Sequence, residues 1–119
     1  MSPLVSIMTP CYNGENYIGR YLDSVLAQTY DNIELAIVDD GSTDNTAAII
    51  KSYIPKFEAK GYKLIYQHQE NGGAASAINT AMQVVTGDFI MWFDSDDILL
   101  PQSTEKRVDF LIKNPQYCI

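Results

Sequence analysis

Ile33-Glu34-Leu35-Ala36-Ile37-Val38 runs directly into Asp39-Asp40-Gly41-Ser42-Thr43-Asp44. This junction decides the fold. The short, mostly apolar run is the length of a buried strand rather than of a helix. Gly41 permits a tight turn, and Ser42, Thr43 or Asp44 offers an N-cap. The helix that follows passes through Ala47, Ile50 and Tyr53 until Pro55 weakens or ends it. Strand, acidic turn and helix is one half of a βαβ unit, and the same rhythm extends in both directions.

Upstream, residues 4–8 form a first strand that stops at Thr9-Pro10. Residues 17–26 then carry Tyr17, Ile18, Tyr21, Leu22, Val25 and Leu26 at helical spacing, an apolar stripe that reads as core. Downstream, the pattern predicts a strand at 62–67, a helix at 74–85 with a stop at Gly87, a strand at 88–93, and a last helix from Pro101 to about Lys113. The expected order is β-α-β-α-β-α-β-α, an α/β fold with a mostly parallel sheet and helices on both faces. In such sheets ligands gather at the carboxyl ends of the strands.

Composition narrows the function. The 119 residues carry 8 Lys plus Arg against 15 Asp plus Glu, a formal net charge of −7, which argues against a nucleic-acid partner. With 46% hydrophobic residues and two cysteines, Cys11 and Cys118, the chain suits one packed domain over residues 1–119 rather than a disordered tail or a disulfide scaffold. No apolar run approaches the roughly 20 residues that span a bilayer, so no membrane segment is expected. The first residues lack the basic and apolar regions of a signal peptide, and the expected compartment is cytoplasmic. Residues 114–119 read as the start of another strand, so the chain is expected to be a truncated piece of a longer protein, with an exposed edge open to self-association.

The chemistry-bearing residues cluster at the strand ends. Asp94-Ser95-Asp96-Asp97 follows Ile90-Met91-Trp92-Phe93, so three carboxylates leave one strand within four positions and repel one another unless neutralised. Mg²⁺ or Mn²⁺ would do so while keeping coordination sites for substrate phosphates. The alternative is a solvated turn in which Asp96 or Asp97 caps the next helix. Asp39 and Asp40 close the neighbouring strand, where a carboxylate would accept the imide N–H of a uracil or the hydroxyls of a ribose, or simply be solvated. In Thr9-Pro10-Cys11-Tyr12-Asn13-Gly14, Tyr12 offers a flat face for a base, and Asn13 a cap for the next helix. Asn71-Gly72-Gly73 reads as the end of a strand, with backbone approach to a phosphate as the other option. The lone His68 is assigned no role.

Taken together, Val5-Ser6-Ile7 with Pro10, Tyr12 and Asn13, the stretch SVLAQTY at 24–30, VDDGSTDNT at 38–46 and FDSDD at 93–97 resemble the family 2 glycosyltransferases of the Rossmann-like GT-A fold. The resemblance covers nearly the whole chain. It implies a nucleotide-diphosphate-sugar site, commonly for UDP, in which Pro10, Tyr12, Asp39 and Asp40 contact base and ribose and Asp40 meets the uracil imide. Asp94 is implied near the ribose or the metal shell, and Asp96 as the ligand of Mg²⁺ or Mn²⁺. It also implies inverting transfer to a hydroxyl of a glycan or other acceptor, with the catalytic base beyond Ile119. This piece is then expected to bind donor without turnover. Where many members carry Ala-Arg-Asn, this chain has Ala77-Ile78-Asn79, so an Arg contact to the diphosphate is lacking.

Three other classes make different demands on the sequence. A phosphoacceptor receiver domain would place its acidic pair after the first strand and a Lys at a late strand end. A nucleotidyltransferase would need a Gly-rich basic loop near the N-terminus. Neither pattern is present. A noncatalytic nucleotide-binding module would bind without turnover, as an isolated donor half would.

Overall fold

In the computed structural model, which describes residues 3–114, four strands and four helices alternate as the sequence pattern predicts. They are β1 (Val5–Cys11), α1 (Ile18–Leu26), β2 (Ile33–Asp40), α2 (Thr46–Lys60), β3 (Lys63–Gln69), α3 (Ala74–Met82), β4 (Phe89–Trp92) and α4 (Ser103–Lys113). The strands form one sheet in the order β3-β2-β1-β4, with every pairing parallel. The strand start expected after Asn114, and Cys118, lie outside the described residues.

Strand alternation sorts the side chains into two layers. Val5, Ile7, Ile33, Leu35 and Ile37 face Ile18, Tyr21, Leu22 and Val25 of α1 and Ile50 and Phe57 of α2. Met8, Ala36 and Val38 face Ala77 and Ala81 of α3 on the other side. Small alanines let α3 lie close to the sheet, whereas the larger face carries most of the apolar burial.

Two prolines behave differently from the sequence expectation, for identifiable reasons. β1 continues through Pro10 because β4 pairs with β1 only from Val5 to Met8. The carbonyls of Leu4 and Met8 accept from Phe89 and Phe93 on the β4 side. By alternation the N–H that Pro10 lacks would point past the end of β4, where no ladder bond is needed. In α2, Pro55 does not end the helix. It stands on the exposed side, so the carbonyl it leaves unbonded meets water. Buried Phe57 holds the final turn to the core, and Gly61 closes it in a left-handed conformation.

The amino end of the sheet is sealed by a buried carboxylate. Glu34 lies 1% exposed among strand residues. Its Oε2 accepts from Ser6 Oγ at 2.6 Å and Thr86 N–H at 2.8 Å, and its Oε1 accepts from Thr86 Oγ1 at 3.0 Å. Ser6 Oγ in turn accepts Gly87 N–H at 2.8 Å. The approach of Gly87 is so close that a Cβ there would stand 2.3 Å from Ser6 Oγ and 2.9 Å from the Leu4 carbonyl.

Candidate functional site

From β1 through α1 to β2, and through α2 to β3, the chain steps in one direction across the sheet. It then returns by α3 to place β4 on the far side of β1. The direction reverses between β1 and β4, and the crevice outside the carboxyl ends at such a point is where open α/β sheets bind ligands. A cleft of about 300 Å³ lies there. Pro10, Cys11 and Tyr12 form one wall, Asp40, Ala74 and Tyr17 another, and Asp94, Ser95 and Asp96 a third. A larger recess of about 530 Å³, between Met91, Trp92, Lys106, Arg107, Phe110 and Leu111, has no carboxylate in its walls.

The loops around the cleft are stitched to each other rather than to solvent. Asn13 adopts a φ of 49°. It does not cap α1, as its residue type suggested, because it faces the turn after β2. Its Oδ1 accepts Thr43 N–H at 2.8 Å, and its own N–H donates to Ser42 Oγ at 2.8 Å. Gly14 N–H donates to Thr46 Oγ1 at 2.8 Å and Glu15 N–H to Asp44 Oδ2 at 3.2 Å. Asp44 Oδ1 also accepts Thr46 N–H at 3.0 Å, which serves the start of α2 although the cap position itself is Asn45. Gly41, at φ +82°, could not carry a side chain, since a Cβ would come within 2.9 Å of Asn71 N. Tyr12, 49% exposed, is thereby presented on a fixed turn with its ring open to the cleft.

Asp39 and Asp40 are neighbours with opposite placements. Alternation points Asp40 toward the α3 side, where it lines the cleft. Its Oδ1 accepts from Gln69 Nε2 at 2.8 Å and Gly72 N–H at 2.9 Å, and its Oδ2 accepts from Gly73 N–H at 2.9 Å. Burial pulls its pKa up, but the bonds from Gly72, Gln69 and Gly73 outweigh this and hold it below the usual range. A carboxylate offers about four acceptor positions, so one on Oδ2 is left beside the cleft. The Gly72-Gly73 amides thus hold Asp40, a use that neither strand termination nor phosphate approach anticipated.

Asp39, expected beside Asp40 against the nucleotide, does not line the cleft. It points to the α1 and α2 side and is 0% exposed. Its Oδ1 accepts Ser42 N–H at 2.9 Å and its Oδ2 accepts Tyr66 Oη at 2.8 Å, with His68 Nδ1 3.7 Å away. Burial raises its pKa, yet Ser42, Tyr66 and the nearby His68 together bring it below the usual range. Tyr66 is correspondingly pushed up by burial and by Asp39. His68, given no role from sequence, therefore sits at the rim of this network.

The acidic turn after β4 is self-closed on one side and open on the other. Asp97 Oδ2 accepts Asp94 N–H at 3.0 Å, and Asp97 N–H donates to the Asp94 carbonyl at 3.1 Å. α4 begins at Ser103, so neither Asp96 nor Asp97 caps it. The carboxylates of Asp94 and Asp96 accept no hydrogen bond from another described residue. Among the described residues no three His, Cys, Asp or Glu side chains form a preassembled metal cage. Two free hard-oxygen donors at a cleft wall nevertheless fit Mg²⁺ or Mn²⁺, ions held by one or two carboxylates together with waters and substrate phosphates.

Cys11, Tyr17, Ala74 and Ser95 also line the cleft, and nothing in their residue types or spacing points to it. Helical spacing reads Tyr17 as core, yet it precedes α1, packs on Gly14 and lines the cleft. Tyr21 is core as expected, with its Oη 2.5 Å from Thr9 Oγ1. The Cys11 thiol is pushed up to about 12 by burial and by the fields of Asp39, Asp44 and Asp40, and stays neutral.

A parallel α/β sheet with an acidic cleft at its switch point defines the class. The chain belongs to glycosyl transferase family 2, whose model matches residues 6–119. It is 44% identical over 112 residues to an uncharacterized glycosyltransferase of Rickettsia typhi, covering 94% of this chain and 33% of that protein. An uncharacterized glycosyltransferase of Haemophilus influenzae is 41% identical over 94% of this chain and 44% of its own length. The chain thus spans between a third and a half of these relatives. Among solved structures, S. aureus TarS 1–349 in complex with UDP-GlcNAc superposes with a TM-score of 0.83 at 29% identity, covering 94% of this chain and 32% of that one. A mannosyltransferase of Pyrobaculum calidifontis in complex with GDP-Man and Mn²⁺ gives a TM-score of 0.76 at 29% identity, covering 88% and 31%. The fold is the Rossmann-like GT-A arrangement of these enzymes.

Proposed function

We propose that residues 1–119 form the donor-binding part of an inverting glycosyltransferase. The complete enzyme would transfer a sugar from a nucleotide diphosphate, a UDP-sugar, to a hydroxyl of a glycan or other acceptor. The observation that carries this reading is the convergence of Pro10, Tyr12, Asp40, Asp94 and Asp96 on one cleft at the topological switch point. The UDP-GlcNAc and GDP-Man complexes of the similar structures support a nucleotide-sugar donor.

Each residue then has a physical task. Tyr12 stacks on the base, and the free acceptor position of Asp40 takes the imide N–H, which its Gly72, Gly73 and Gln69 donors keep ionised and aimed. Asp94 serves the ribose or shares the ion, and Asp96 holds it. Bound Mg²⁺ or Mn²⁺ would supply charge neutralisation for the diphosphate and its leaving group. The acceptor hydroxyl requires a base to remove its proton, and no residue of this chain is assigned that role, so donor binding without turnover is the expected behaviour of the piece.

Calorimetric titration with UDP in Mn²⁺, repeated in chelator and with Asp96→Ala, tests the reading. Tighter binding in Mn²⁺ that is lost on chelation and in the variant is the expected result. A folded chain whose UDP affinity ignores both would refute it. Self-association belongs to the same proposal, supported by the edge strand β4 with Trp92 56% exposed and by exposed Ile98 and Leu100. A hydrodynamic size constant on dilution to a monomer would remove that part.

A further inference from the structure

We propose that Gln28, with Ser24, is a positioning residue for the acidic turn, a role that rests on the donor-site reading of Asp94 and Asp96. Gln28 lies just past α1, 2% exposed, and its carboxamide makes two of its three bonds to a segment more than seventy residues away. Its Nε2 donates to the Leu100 carbonyl at 2.8 Å and to the Ser24 carbonyl at 3.2 Å. Its Oε1 accepts Thr104 N–H at 3.0 Å. Thr104 is the second residue of α4, whose own cap position, Gln102, makes no side-chain bond. Gln28 therefore caps α4 from another element, meeting a donor that the helix leaves without an internal partner.

Its neighbours extend the attachment. Ser24 Oγ accepts Leu99 N–H at 3.1 Å, and Thr29 N–H donates to the Pro101 carbonyl at 2.8 Å. Gln28 is itself fixed, since its carbonyl accepts from Lys60 Nζ at 3.0 Å and Tyr62 Oη at 3.2 Å. The acidic turn thus hangs between two anchors. On one side Phe93 N–H donates to the Met8 carbonyl in β1. On the other, Leu99 to Thr104 is clamped to the end of α1.

Five residues, 94–98, bridge those anchors, and the free carboxylates of Asp94 and Asp96 belong to the bridge. Their separation and direction are accordingly set by where the second anchor stands. An ion held by two carboxylates is sensitive to that separation, and loss of an outer partner of a metal ligand typically lowers affinity about ten- to hundredfold.

The test uses Gln28→Leu, which keeps the volume and removes all three bonds, and Ser24→Ala, a milder change that removes the Leu99 bond. Two quantities are read in each: the ratio of UDP affinity in Mn²⁺ to that in chelator, and hydrogen exchange of the Asp94 and Asp97 amides in metal-free protein. Neither variant touches the bonds those amides make. The expected result is a ratio reduced about tenfold in Gln28→Leu and less in Ser24→Ala. Affinity in chelator should be unchanged, and exchange at Asp94 and Asp97 faster. A merely structural role would lower both affinities together. An unchanged ratio with unchanged exchange in folded variants overturns the proposal. Should the unsubstituted chain show no Mn²⁺ dependence, the donor reading fails on its own, and exchange at the two amides still decides whether Gln28 positions the turn. If Gln28→Leu does not fold, Ser24→Ala carries the same two readouts.

Discussion

The two ends of the sheet each hold buried carboxylate, and the chain treats them in opposite ways. At the amino end, Glu34 is surrounded by donors from Ser6 and Thr86, with Gly87 pressed against Ser6 so tightly that no side chain fits. At the carboxyl end, Asp40 also has three donors, but it lines an open cleft and two of those donors are the exposed Gly72 and Gly73, and Asp94 and Asp96 have none from other described residues. The difference is whether the carboxylate is closed off by packing or faces an open cleft. A carboxylate enclosed with its donors stabilises the fold, and one that faces a cleft with an acceptor position open is available to a ligand.

The largest expected effects lie at the closed end. Glu34→Ala strands the Ser6 and Thr86 donors and opens a hole, while Gly87→Ala forces its Cβ into Ser6. Each should cost about 3 kcal/mol of unfolding free energy, measured by urea titration. Asp40→Ala makes the comparison direct, because its Gly72 and Gly73 donors are exposed and can turn to water. Its stability loss should be about 1 kcal/mol, while UDP affinity falls more than tenfold. Equal losses of stability for Asp40→Ala and Glu34→Ala would erase the distinction between the ends.

Acid sharpens it further. Glu34, Asp39 and Asp40 all have folded pKa values below the ordinary range; burial opposes this in each, and hydrogen bonds prevail. A depressed folded pKa means stability that is complete above the unfolded value of about 4 and is lost as pH falls through the folded value. Unfolding free energy should therefore be flat from neutrality to about pH 5 and drop below about pH 4, with Glu34→Gln removing its share of the slope.

The smallest effect concerns Thr104, whose buried Oγ1 has no hydrogen-bond partner among the described residues. Thr104→Val keeps the shape and the backbone bond to Gln28, and should stabilise the chain by about 1 kcal/mol in thermal unfolding. A clear loss would show that the hydroxyl is used.

Much of this architecture was legible in the chain. The apolar run at 33–38 and the stripe from Ile18 to Leu26 give strand and helix because period and burial coincide there. That β1 runs on through Pro10 and α2 past Pro55 is not legible locally, since whether a missing N–H matters depends on what stands opposite it, and neither the end of β4 nor the solvent side of α2 is visible in the local sequence. Residue type placed Asp39 with Asp40, whereas the two-residue period of a strand separates them onto opposite faces.

By itself the sequence determined the α/β order, the acidic strand ends and the family, because these follow from periodicity and from motifs in a fixed order. Tertiary structure alone decided which acids are supplied with donors, and that Gln28 caps a helix more than seventy residues away. Such facts depend on which distant backbone groups arrive at a given atom, and local pattern carries no record of that arrival.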